Sequence, residues 1–88
     1  MTYIITFEIA SRENLQKIEN LLKTYSGFCP IHKYCWAITS EKKPPEIHDH
    51  LRGALAPTDR LFVIRSGTEA AWSNAYGKQH DDWLKKNL

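Results

Sequence analysis

Glu8 is the one acidic residue that a sheet would position, closing the hydrophobic run Tyr-Ile-Ile-Thr-Phe-Glu over Tyr3–Glu8. A carboxylate at the end of a central strand could bind Mg²⁺ or Mn²⁺, because hard cations take carboxylate oxygen and fill their shell with water. It could equally cap an amide or pair with Arg12 or Arg65. His48-Asp49-His50 has the composition of a metal site. On a helix, however, positions two apart do not face each other, so a solvated helix surface is the better account. Nothing in the spacing fixes how far His32 and His80 lie from Glu8.

Cys29 and Cys35 form a Cys-x5-Cys pair, which fits neither a Cys-x-x-Cys redox site nor the usual zinc knuckles. A disulfide across a tight turn is conceivable. Two small buried hydrophobes is the plainer reading. There is no phosphate-loop motif. Lys42-Lys43 and Lys85-Lys86 are only doublets, and the formal charge of +2 permits nucleic-acid binding without calling for it. The candidate phosphate contacts are Arg12, Arg65, Lys42 and Lys43. Tyr34 or Trp36 could stack bases if exposed, but core or interface packing suits them better.

These residues need elements to hold them. At 88 residues the chain has room for one domain. Tyr3, Ile5 and Phe7 alternate with Ile4 and Thr6, which predicts a strand apolar on most of both faces and therefore inside the sheet. Ser11 is a good N-cap for a helix over Arg12–Tyr25, with Leu15, Ile18, Leu22 and Tyr25 as its apolar stripe. Ser26-Gly27 is expected to end it by left-handed geometry. Phe28–His32 predicts a strand confined to an edge or bulge by Pro30. Tyr34–Ser40 predicts another, with Tyr34, Trp36 and Ile38 on one face and Cys35 and Ala37 on the other. Pro45 suits the first turn of a second helix over Glu46–Leu55, and Arg60–Arg65 carries the last strand. The expected class is α/β (α+β), in the ferredoxin-like order βαββαβ with both helices on one face.

Residues 66–88 form a C-terminal extension with a short final helix, acidic at its start and basic at its end. Trp72, Tyr76 and Trp83 are too much apolar surface to leave in water. They predict either folding back onto the sheet or an interface with a second subunit, and the uncovered sheet face also points to a homodimer. No apolar run approaches the ~18 residues of a membrane span, and the N-terminus lacks signal-peptide features. The expected location is the cytoplasm.

With these elements placed, the chain resembles the small SinR-family proteins, which are similar to the small ferredoxin-like CRISPR-associated metal-dependent nucleases and to the virulence-associated protein D ribonucleases. The residues that carry the likeness are the run Met1–Glu8, the run Tyr34–Ser40, Glu69-Ala-Ala-Trp72 and the stretch Asp82–Leu88. The resemblance implies a homodimer in which a carboxylate at the end of each first strand binds metal for phosphodiester cleavage. Glu8 holds that position where the nuclease pattern has Asp. The longer side chain would move the ion, and ~1 Å of misplacement can cost ~100-fold. The expected function is a small dimeric nucleic-acid-associated or accessory binding protein without robust catalysis. The alternatives are a Mg²⁺- or Mn²⁺-dependent endonuclease using paired Glu8 carboxylates, and a protein-partner module such as an antitoxin or immunity protein.

Overall fold

The alternation in β1 (Thr2–Glu8) sends Tyr3, Ile5 and Phe7 into the core and leaves Thr2, Ile4 and Thr6 half-buried on the other face. The computed structural model describes residues 1–67 and 69–88; Thr68, within the C-terminal extension, lies outside the described residues. After β1 come α1 (Arg12–Leu22), β2 (Gly27–His32), β3 (Cys35–Thr39), α2 (Pro44–Leu51), β4 (Arg60–Arg65) and α3 (Lys78–Asn87). The fold is α+β. Four strands form one antiparallel sheet in the order β2-β3-β1-β4, so β1 is central and β2 and β4 are the edges.

α1 starts where Ser11 Oγ accepts from the Asn14 amide. It stops at Leu22, three residues short of the expected Tyr25. There the Thr24 hydroxyl donates to the Leu21 carbonyl and the chain turns through Tyr25 N–H to Leu22 O. Ser26-Gly27 does not act as a left-handed stop. Gly27 opens β2 with no positive φ. It is needed for space, because a Cβ there would sit 2.5 Å from Thr39 Oγ1 and 3.3 Å from Trp83. α2 begins at Pro44, two residues before the expected Glu46, with Pro45 in its first turn. It gives way after Leu51 to a 3-10 turn over Arg52–Ala54.

The helices divide between the faces of the sheet. Ile18 and Leu22 of α1 and Ile47 and Leu51 of α2 pack with Tyr3, Ile5, Phe7, Trp36 and Ile38. On the opposite face Cys29, Ala37 and Leu84 form a smaller core, with Ile4, Ile31, Trp72, Ala75 and Trp83 against it. The extension therefore folds back within the subunit. Trp72 Nε1 donates to Asp81 Oδ1 at 2.9 Å, and Lys85 Nζ meets Asp81 Oδ2 at 2.8 Å. Thr2 Oγ1 donates to the Asn87 carbonyl at 2.8 Å, fixing the far end of α3.

α3 packs against β2. The β4 edge of the same face is left uncovered, so Phe62 is 60 % and Ile64 49 % exposed. The two edges also differ. β2 contains Pro30, which has no N–H, and a bulge between Pro30 and His32. β4 has neither.

Candidate functional site

Glu8 leaves the sheet at the end of β1, directly opposite Arg60 on β4, and the Arg60 guanidinium donates to its carboxylate. Both side chains are about 70 % exposed. Glu8 lines a cleft of about 620 Å³ together with Thr6, His32, Tyr34, Thr58 and Asp59. His32 and Glu8 thus share one cleft, which the sequence left open. Asp59 is engaged elsewhere: its two oxygens accept from the amides of Ala10 (3.3 Å) and Ala56 (2.8 Å), tying the β1–α1 junction to the turn before β4.

A hard cation takes six or more oxygen ligands. In this cleft the carboxylate of Glu8 is paired with a guanidinium and that of Asp59 with two amides. Among the described residues no group of three or more His, Cys, Asp or Glu converges on one point. A single subunit thus offers one solvent-exposed carboxylate here, already paired with a guanidinium.

Arg12 stands near the same end, in a neighbouring groove of about 440 Å³ with Lys33 and Tyr34. Lys33 Nζ lies 5.3 Å from the centre of the Tyr34 ring. Arg65, Lys42 and Lys43 are at the opposite end of the sheet. Arg65 faces Tyr3 across the β1–β4 ladder, and the Lys42 carbonyl accepts from the Tyr3 hydroxyl at 2.8 Å. That end also holds Lys23, the C-cap of α1, and Lys86, beside the Asn87 that is bonded to Thr2. Glu41 and Glu46 lie at that end too. The Met1 amino group lies 3.9 Å from Glu41, and Glu46 accepts from the Lys43 amide. The structure therefore separates Arg12 from the other three candidate phosphate contacts, which lie at the opposite end of the sheet.

Between these lysines and the core lies a pair the sequence did not single out. Tyr25 Oη and His50 Nδ1 are 2.8 Å apart, at the edge of a shallow pocket of about 300 Å³ that also includes Lys42, Ser26 and Thr39. Burial pushes the Tyr25 phenol above its usual value. Tyr25 fell on the expected apolar stripe of α1 and His50 on α2, and no local motif joins them.

His48 lies 3.6 Å from Asp49, not from His50. Cys29 and Cys35 are both free and buried, and burial raises both thiols, which makes them poor nucleophiles. Tyr34 packs edge-on against Phe7, and Trp36 stacks on Phe28. Trp72 and Trp83 are half-buried in the α3-side core, while Tyr76 is exposed beside His80. No described helix is long and apolar enough to cross a membrane. No protein-family model matches the chain, and no curated protein matches it in sequence.

Proposed function

We propose that the chain is a small dimeric accessory protein that associates with nucleic acid through the phosphate backbone and has no robust catalysis of its own. The observation that carries this reading is the basic end of the sheet. Lys23, Lys42, Lys43, Arg65 and Lys86 all belong to the end of the sheet where β1 starts, with Glu41 and Glu46 among them. Lysines clustered on one side attract phosphate by charge and read no sequence. Tyr25 and His50 in the adjoining pocket add a ring edge and an imidazole beside Lys42.

We read the α+β fold as ferredoxin-like βαββαβ with one added helix. The antiparallel strand order β2-β3-β1-β4 and the packing of α1 and α2 on one face support that reading. On this reading the chain is one of the SinR-like proteins, and its C-terminal clusters serve to cover the sheet.

The test is fluorescence anisotropy with short labelled RNA and DNA between ~50 and ~200 mM salt. Binding should weaken steeply with salt, and Lys42→Glu/Lys43→Glu should weaken it alike for every sequence. No binding at the lowest salt, or affinity indifferent to salt, overturns the reading.

A Mg²⁺- or Mn²⁺-dependent endonuclease is the second reading. Glu8 and His32 lining one cleft is the observation in its favour. It needs a second copy to bring another Glu8 close.

A further inference from the structure

We infer that the outer edge of β4 pairs antiparallel with β4 of a second copy about a two-fold axis, with Val63 opposite the partner's Val63. This rests on the dimeric state proposed above and gives it an interface.

The argument begins with which backbone groups are free. Ser66 N donates to Thr2 O, so Thr2 and Ser66 form a hydrogen-bonded pair of the β1–β4 ladder. Such pairs recur at every second residue of an antiparallel ladder. Given the register, Ile64, Phe62 and Arg60 therefore also direct their N–H and C=O groups toward β1. Leu61, Val63 and Arg65 direct theirs away from the sheet, where no partner exists among the described residues.

An unpaired, unbulged edge of this kind is a template for another strand, and natural sheets usually disguise it. β2 is disguised by Pro30 and its bulge. β4 carries instead two exposed apolar side chains, Phe62 and Ile64, on the α3 side of the sheet but beyond the part that α3 covers.

The occupant is a second copy because β4 is complementary to itself. Pairing the three outward residues of one strand with all three of the other fixes one register. Leu61 meets the partner's Arg65, Val63 the partner's Val63, and Arg65 the partner's Leu61. Every free N–H and C=O of both edges is then bonded. In the same register Phe62 faces the partner's Ile64 at the positions between hydrogen-bonded pairs, where side chains approach most closely. Arg60 falls opposite the partner's Ser66, so no arginine faces another. Shifting the strands by one pair in either direction loses bonds and leaves an apolar side chain beside bare edge.

This interface separates the two Glu8 residues. Their strands would be three strand spacings apart, ~14 Å, and displaced by six residues along the chain direction, ~20 Å. The two carboxylates could not share an ion.

The test combines mass with cross-linking. Wild-type protein should sediment as a dimer at micromolar concentration. Val63→Pro removes an N–H that no intrachain bond uses and should give monomer with an unchanged circular-dichroism spectrum. If that variant does not fold, Phe62→Lys/Ile64→Lys, changed only at exposed positions, should give folded monomer. Under mild oxidation a mixture of Phe62→Cys and Ile64→Cys proteins should form a covalent heterodimer, because paired Cα atoms at such positions lie ~4.5 Å apart, within disulfide reach. Cross-linking of either variant with itself in preference to the mixture overturns the register. A monomeric wild type, or a dimer that survives both disruptive variants, overturns the interface. Anisotropy of the monomeric variant shows separately whether nucleic-acid binding stands without it.

Discussion

Arg60 and Glu8 are a cross-strand pair, directly opposite on β4 and β1, and the guanidinium occupies the carboxylate that a metal would need. Because both groups stand in water, the pair contributes only ~0–1 kcal/mol to folding. Glu8→Ala should therefore lower the unfolding free energy measured in urea by no more than ~1 kcal/mol. With Mn²⁺ and RNA or DNA, wild type and variant should show the same negligible hydrolysis. Metal-dependent cleavage abolished by Glu8→Ala would transfer the function to the second reading.

Gly27 and Thr39 are cross-strand partners on β2 and β3 that leave no room for a side chain on Gly27. A methyl group on Gly27 would meet Thr39 Oγ1, itself 3.2 Å from the Ser26 hydroxyl, with Trp83 behind it. Gly27→Ala should cost ~1–3 kcal/mol, the usual range for overpacking. Adding Thr39→Ala removes the obstructing atom and should recover part of the loss. Strictly additive costs in the double variant would show that the clash is not the cause.

The anchor of α3 is Leu84, only 2 % exposed. Leu84→Ala should cost ~2–5 kcal/mol in chemical denaturation. Trp83 is half-buried beside it, so Trp83→Ala should cost less than the ~3–5 kcal/mol of a fully buried tryptophan. A Leu84→Ala protein as stable as wild type would mean that α3 does not hold the second core together.

Acid should loosen the same helix. Hydrogen bonds from Lys85 and Trp72 hold the Asp81 carboxyl below its usual value. The folded state then takes up that proton less readily than the unfolded chain. Its contribution is fully present above the ordinary carboxylate value of ~4 and is lost as pH falls through the folded one. The same bond raises Lys85, whose contribution is present below ~10.4 and lost as pH rises further. The stability difference between wild type and Asp81→Asn should thus shrink below pH ~4. A difference constant across that range would remove Asp81 from the linkage.

The periodic elements were legible because period and burial agree. Tyr3, Ile5 and Phe7, or Ile47 and Leu51, can face only one way. Tyr25 was harder to place, since an aromatic ring after Leu22 extends a helical stripe whether or not the backbone has already turned. Gly27 invited a local explanation, a helix stop, when its cause is Thr39 on a neighbouring strand. The chemistry suffered most from this distance. Glu8 was visible as a strand-end carboxylate, yet its partner Arg60 lies 52 positions away. The basic end exists only once β1, β3, β4 and α3 are assembled, and Arg12 falls at the other end for the same reason. Tyr25 and His50 meet through the packing of two helices, which no spacing encodes.

The proline and bulge of β2 have a consequence for how far assembly can run. A sheet with two receptive borders would add copies without limit and grow into a filament. Here one border lacks a donor at Pro30 and is kinked beside it, so association through β4 uses up the only receptive border and halts at a closed pair. Replacing Pro30 with a donor-bearing residue such as Val and straightening the strand would remove that stop, and the expected product is open-ended polymer, detectable as turbidity that grows with concentration.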